Sequence, residues 1–492
     1  MYEEIQSLRD NLTWEVVPLP DDRKVVGCKW VFNQKLDRNG DVFRYKATLV
    51  AQGFSQRYGT DYDEVFAPVA KQTTFRMLLS VAARRGLLVK HVDVKSAYLY
   101  GELAETIYMK QPIGFETSAK NEVCLLKKSL YGLKQAGRVW NQRITEVLRN
   151  LEYQPSEADP CLFVRMETGH RSFVLLYVDD MLIACQDDAE YKRVEVNLLK
   201  HFKITCLGDV GHYLGLRIQR QQNGRFWLDQ SAYIRKIALR FGQAEAKPSF
   251  IPMDPGYPKH QQKEEEPLPR KDDYQSLVGA LLYVAVCTRP DIAISASILG
   301  RKVSCPSQAD WTEAKRPLRY LKATENLCLE LGGPGSLKAY VDADWAGDHH
   351  DRKSNTGFVF NLGGPISWCA RKQQCVALSS TEAEYVALSE ACRELLWLLK
   401  LMSDVGEKPT EPVVVCDDNQ SCISMLNNDG SSRKSKHIDT RYNFVRDLVA
   451  KRVVAVEYCP TEQMVADILT KPLPRVKLGS LRKEIMNPIC EA

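Results

Sequence analysis

Two adjacent aspartates, Asp179 and Asp180, sit between two apolar, β-prone runs in FVLLYVDDMLIAC, residues 173–185. That pattern reads as a hairpin with carboxylates at its tip. Aspartate is also a common turn residue, so the pair alone decides nothing. Upstream, VKHVDVKSAYL (residues 89–99) alternates apolar residues up to Asp93, as on a strand whose end carries an acid, and a helix-prone run, SAYLYGEL, follows. Alone, Asp93 reads equally well as a strand-end or capping carboxylate. Together, Asp93, Asp179 and Asp180 supply what phosphoryl transfer on metal ions needs. Clustered carboxylates repel one another and stay together cheaply only when cations neutralise them. Two Mg²⁺ ions about 3.5–4 Å apart can then activate a hydroxyl and stabilise the leaving oxygen.

A second acidic set lies in the last third of the chain. LKAYVDADWAGD, starting at Leu337, reads as a strand that reaches Asp342. VALSSTEAEYVALSEACRELLWLLKLM is a long helix whose start holds two overlapping capping boxes, Ser379 with Glu382 and Thr381 with Glu384. If the first box forms, Glu382 caps its own helix; if the second forms, Glu382 is free to bind metal, and the other carboxylates weight the reading that way. PVVVCDDNQSCISML runs a β-branched strand into Asp417 and Asp418, and VVAVEYCPTEQMVADILTK runs strand, turn and helix with Asp467 on the helix. Asp342, Glu382, Asp418 and Asp467 thus form a four-carboxylate set, with Asp417 competing with Asp418. His437, in SKHIDTRYNFVRD, either orients substrate or a metal-bound water or is a surface residue at a helix start; the structural or substrate-contact role is favoured.

The elements that must position these groups divide into blocks. The proline- and charge-rich stretch from Ala244 to Asp272 reads as a linker, and Gly332, Gly333, Pro334 and Gly335 mark a second break. The blocks are 1–243, a linker and helical segment over 244–335, a strand-and-helix block over 336–475, and a tail over 476–492. Pro317 is expected to kink or interrupt the helix of KRPLRYLK. Hydrophobic residues make up 44% and charged residues 26%, the balance of a globular protein. The richest apolar stretch, Phe173 to Cys185, is cut by Asp179 and Asp180, so no membrane span is expected, and the polar start MYEEIQSLRDN is not read as a signal peptide. The net charge of +5 does not by itself point to nucleic acid, although 67 Lys and Arg allow a local basic groove. The 15 cysteines form no CxxC pair and are read as reduced, packed thiols.

The tetrapeptide YVDD (177–180) resembles the catalytic hairpin of reverse transcriptases, and HVDVKSAYLYGEL (91–103) resembles their first palm motif in its copia-type form. Residues 25–69, VVGCKWVFNQKLDRNGDVFRYKATLVAQGFSQRYGTDYDEVFAPV, resemble the fingers of copia elements. VCLLKKSLYGLKQAGRVW (123–140) resembles the next palm motif, and LGDVGHYLGLRI (207–218) the primer grip. YVDADWAGD, ALSSTEAEYVAL, DNQS and KHID resemble the copia-type branch of ribonuclease H. Blocks of this kind in the right order identify the chain as similar to the reverse transcriptase and ribonuclease H region of a copia-type retrotransposon Pol polyprotein.

The resemblance implies an α+β fold: a right-hand polymerase with fingers, palm and a thumb over about 210–243, then a helical connection, then a ribonuclease H-like α/β domain with a mixed sheet. It implies an RNA-directed DNA polymerase that also degrades the RNA strand of an RNA–DNA hybrid, with the 273–335 segment holding the two sites apart along one hybrid. Asp93 and Asp179 would be metal ligands with Asp180 in support, and Asp342, Glu382, Asp418 and Asp467 would hold the nuclease metals. The cofactor would be Mg²⁺, two ions per site, with Mn²⁺ as substitute. Tyr98 would exclude a ribose 2′-OH, unless it is an ordinary core aromatic. Lys46 would reach the triphosphate, unless it is a plain surface lysine. The Leu130–Tyr131–Gly132 turn would let the backbone approach nucleotide or template. Arg352, Lys353, Arg371, Lys372, Arg433, Lys434 and Lys436 are candidates for phosphate contacts, each singly more readily a solvated surface residue. The partners would be RNA template, DNA primer, hybrid and dNTPs, with protease and integrase segments upstream, no membrane, and a cytoplasmic virus-like particle with nuclear entry as the setting. Thr48 and Gly137 stand where copia elements commonly have Arg and Pro; such departures are what a domesticated fragment that only binds nucleic acid would show, and the seven intact carboxylates oppose that alternative.

Overall fold

The structure is a computed structural model that describes residues 1–36, 42–117, 121–167, 170–260, 267–427 and 436–489. It forms two compact units, Met1–Ala70 with Lys90–Asp209, and Lys71–Val89 with Val210–Ala492.

In the first unit, a six-stranded sheet runs in the order Ile204–Asp209, Leu88–Val94, Asp180–Cys185, His170–Tyr177, Leu162–Glu167, Gln154–Pro155. Phe173–Leu176 and Met181–Cys185 are all buried, so both faces of this hairpin are covered and its apolar run is continuous rather than alternating. A four-stranded sheet (Trp14–Pro18, Glu122–Lys128, Glu102–Met109, Val25–Val26) and a hairpin of Cys28–Leu36 with Val42–Ala51 complete the unit. The run SAYLYGEL, expected to be helical, forms one 3₁₀ turn over Ala97–Tyr100 and then enters the Glu102–Met109 strand. That strand pairs with Glu122–Lys128, and these ladder bonds override a local helical preference.

In the second unit, a mixed five-stranded sheet runs Pro365–Lys372, Asn355–Asn361, Lys338–Asp344, Val413–Asp417, Val454–Tyr458. The first three strands pair antiparallel and the last two join in parallel. The helix Ser380–Asp404 packs on it through Ala387, Leu388, Ala391, Leu395 and Leu398, all buried at helical spacing. A second sheet (His212–Tyr213, Leu216–Arg220, Phe226–Asp229, Leu327–Leu331, Asn487–Pro488) brings the segment expected as a thumb together with the strand before the Gly332–Gly335 break. Part of the stretch read as linker is docked: Met253 and Tyr257 are buried, and the Tyr257 hydroxyl donates to Asp310.

Pro317 does not interrupt its helix, which runs from Gln308 to Ala323. A proline inside a helix forfeits one backbone bond and crowds the preceding turn. Here its ring is buried, and a full capping box between Ser307 and Asp310 anchors the helix start. Beside it, Arg289 and Asp291 form a buried ion pair at 2.8 Å, 1% and 0% exposed. Asp291 also accepts from the Tyr320 hydroxyl at 2.6 Å.

Candidate active sites

In the first unit, Leu88–Val94 lies inside the six-stranded sheet, beside the Asp180–Cys185 strand. The Val94 N–H donates to the Asp179 carbonyl at 2.9 Å, which ties the hairpin tip to the strand end that carries Asp93. Pairing of Tyr177 with Asp180 leaves Val178 and Asp179 as a two-residue loop. Val178 has φ 59°, a left-handed conformation that a β-branched side chain rarely adopts. The buried Trp140 indole donates to its carbonyl at 2.6 Å and helps to hold this strained tip.

Asp93, Asp179 and Lys46 line one cleft of about 780 Å³, with Tyr45, Ser96 and Tyr131 among the other walls. Burial raises the Asp179 pKa above the ordinary carboxylate value; the charges of Asp180 and Asp93 add to this, and Lys46 opposes it. Asp180 has a different partner, its Oδ1 lying 3.0 Å from His91 Nε2. Tyr98 stands edge-to-face on Tyr131 with ring centroids 4.8 Å apart, and packs against the core that contains Leu99 and Leu130. Gly132 has φ 92°, and a Cβ there would fall 2.1 Å from the Ala51 carbonyl oxygen. The close approach that this glycine permits is to the Val42–Ala51 strand of the protein itself.

In the second unit, Asp342 lies on the central strand, Glu384 in the first turns of the Ser380–Asp404 helix, and Asp418 just past the Val413–Asp417 strand. One carboxylate oxygen of each lies within 4.8 Å of the others, and this is the only group of three or more metal-capable side chains so placed among the described residues. Asp342 is 2% and Glu384 5% exposed. Burial raises the Asp342 carboxyl to about 7, against the opposing charge of Lys471. Burial and then the charges of Asp342, Asp417 and Asp418 raise Glu384 well above its ordinary value. An all-oxygen, buried, mutually repelling set of this kind fits a hard divalent cation.

Glu382 is the correction. Its backbone N–H donates to Ser379 Oγ at 3.2 Å, and its own Oε2 accepts from the Leu378 N–H at 2.8 Å. Ser379 caps the helix, and Glu382 turns back to the Leu378 N–H at the helix start, while Glu384 is buried in the acidic cluster. Asp417 is buried and accepts from the Asn419 N–H at 2.7 Å, whereas Asp418 accepts from Thr461 Oγ1 at 2.7 Å. Asp467 is fully buried and ion-paired to Lys471 and Lys477; Lys471 Nζ also lies 3.5 Å from Asp342 Oδ2. Of the basic candidates, Arg371 pairs with Glu390 at 3.0 Å, Lys372 with Asp348 at 2.6 Å and Lys353 with Asp351 at 3.8 Å. Arg352 lies 3.5 Å from His349. His437 lies in the helix Lys436–Ala450, but its side chain and that of Lys436, like Arg433 and Lys434 altogether, lie outside the described residues.

The fold and these acid-lined sites belong to a recognisable class. A family model described as reverse transcriptase (RNA-dependent DNA polymerase) matches residues 11–255. The chain is 42% identical over 497 residues to the retrovirus-related Pol polyprotein from transposon TNT 1-94 of Nicotiana tabacum, over 99% of this chain and 37% of that protein. It is 37% identical over 490 residues to the corresponding polyprotein from transposon RE1 of Arabidopsis thaliana, over 99% of this chain and 33% of that one. A putative transposon Ty5-1 protein of Saccharomyces cerevisiae is 34% identical over 312 residues, which cover 62% of this chain and 100% of the yeast protein. The chain therefore belongs to the family of copia-type, retrovirus-related transposon Pol polyproteins, and it spans about a third of the length of the two plant relatives. Among solved structures, a foamy viral protease-reverse transcriptase in complex with ds DNA matches with a TM-score of 0.50 at 12% identity, over 93% of this chain and 69% of that one. This likeness shows the α+β polymerase fold.

Proposed function

We propose that the chain is an RNA-directed DNA polymerase and a ribonuclease H, which copies transposon RNA into DNA at one site and cleaves the RNA of the resulting hybrid at the other. The observation that carries this reading is the pair of separate carboxylate sites: Asp93 and Asp179 facing Lys46 across one cleft, and Asp342, Glu384 and Asp418 within 4.8 Å of one another in the other unit.

Asp93 and Asp179 would hold the polymerase cations, and Asp342, Glu384 and Asp418, with Asp467 beside them, those of the nuclease. Bound Mg²⁺ would supply Lewis acidity to the phosphate and lower the pKa of the attacking hydroxyl or water. The chain's own groups do the rest. Lys46 places a fixed positive charge opposite the acids, where a triphosphate needs one. Tyr98, braced by Tyr131, would restrict the sugar. His91 fixes Asp180 behind the hairpin tip, so that Asp180 supports Asp179 through charge and position. Primer, RNA template, hybrid and dNTPs are the partners these roles require.

The test is primer extension on poly(rA)/oligo(dT) together with RNA cleavage in a hybrid, both with Mg²⁺. Asp179→Asn should lower synthesis by about 10²-fold or more and spare cleavage, and Asp342→Asn should do the reverse. No incorporation by the unaltered chain, or loss of both activities from either single substitution, would refute two independent sites.

A further inference from the structure

The three acids that converge in the second unit are not the whole local charge. Asp467 is 0% exposed, and its two oxygens are taken separately by Lys471 and Lys477. The lysines come from different elements: Lys471 follows the 3₁₀ turn Val465–Leu469, and Lys477 sits in the helix Arg475–Arg482. Lys471 also leans toward Asp342 at 3.5 Å.

We propose that Lys471 and Lys477 keep the Asp467 carboxylate out of metal coordination, so that the cluster takes one divalent cation through Asp342, Glu384 and Asp418 and admits a second only when the ammonium groups are withdrawn. An ammonium and a divalent cation cannot share the same carboxylate oxygens at contact distance without strong repulsion. The anionic backbone of a bound strand is the natural competitor for the two lysines, so strand binding and uptake of the second ion are reciprocally coupled. The inference rests on the reading that this cluster holds metal.

The experiment titrates the full chain with Mn²⁺ and counts free ion by electron paramagnetic resonance, with Asp93→Asn and Asp179→Asn present to silence the first unit. One ion should bind, and Asp342→Asn should abolish it. Adding Lys471→Met and Lys477→Met should bring in a second ion with affinity raised about tenfold or more. The isosteric Asp467→Asn, which leaves both ammonium groups without their carboxylate beside Asp342, should weaken the first ion. Two equally tight ions with the lysines intact, no second ion without them, or a first ion bound as tightly in Asp467→Asn as in the unaltered chain would overturn the proposal. Binding sensitive to Asp342→Asn but unmoved by the lysine substitutions would overturn it alone; absence of any Asp342-dependent binding would overturn the metal reading with it.

Discussion

Without divalent cation, the buried nuclease carboxylates should be a liability to the fold, and replacing Asp342 with Asn should measure that liability. The Asp342 carboxyl stands at about 7 rather than the ordinary 3.8, because burial outweighs the help of Lys471. A buried acid with a raised pKa costs stability wherever it must ionise: the cost is absent below pH 4, opens as pH rises toward 7, and is complete above it. The difference is worth about 4 kcal/mol at pH 8 and less than half of that at pH 5. Asn keeps the shape and can still accept from the Thr470 hydroxyl that Asp342 now engages. In EDTA, urea unfolding of the second unit should therefore find Asp342→Asn more stable than the unaltered chain at pH 8, with most of the gap gone at pH 5. Saturating Mg²⁺ should close most of the gap at pH 8, since an ion bound only by the native state at 100 times its Kd adds about 2.7 kcal/mol to a protein that has the site. An Asn variant that is less stable in EDTA at pH 8, or a gap that does not move with pH, would refute the electrostatic reasoning.

Three further outcomes are expected. Glu384→Gln should lower hybrid cleavage by about 10²-fold or more, while Glu382→Gln should leave cleavage intact and cost about 1 kcal/mol by urea melt, the worth of a cap. Gly132→Ala should destabilise the first unit by about 2 kcal/mol or more, because its Cβ would collide with the Ala51 carbonyl and its φ is positive; wild-type stability in a urea melt would contradict the geometry. Asp291→Asn should cost about 3–5 kcal/mol by leaving Arg289 charged and unpaired in the interior. Burial pushes the Asp291 pKa up, but the Arg289 charge, the hydrogen bonds from Arg289 and Tyr320 and the Arg482 charge together hold it below its ordinary value, so the pair's contribution is present above pH 4 and lost as pH falls through the lowered folded pKa.

The carboxylate-bearing strands were the most legible part of the sequence, because period-two alternation and β-branched runs leave few other ways to bury the residues around Asp93, Asp179, Asp342 and Asp418. What was illegible depends on partners distant in sequence. The SAYLYGEL run has the composition of a helix, yet it makes one 3₁₀ turn and then enters a strand because Glu122–Lys128 is there to pair with it. Met253 and Tyr257 sit among prolines and charges that read as a tether, yet the two residues are buried. The helix Gln72–Arg85 joins the second unit through Arg76, whose guanidinium donates to the carbonyls of Ile366, Val286 and Cys287. No local pattern around residue 76 announces a partner nearly 300 positions away.

The choice between Glu382 and Glu384 belongs to a third kind, in which a local signal points both ways. The sequence offers a capping box at either position, and a box is a local device that two overlapping registers satisfy equally. The stripe that faces the sheet is not local. Stepping back from Leu398 by helical intervals through Leu395, Ala391, and Leu388 or Ala387, all buried, arrives at Glu384. Two residues along a helix turn a side chain by about 200°, so the two glutamates point to opposite sides of the helix and only Glu384 continues the stripe that runs back from Leu398. Apolar periodicity over 25 residues constrains which side chain enters the acidic cluster; a cap of one turn does not. An acid that continues an apolar stripe is buried by the packing of the whole helix, and a buried acid beside Asp342 and Asp418 is tolerated only where positive charge can meet it.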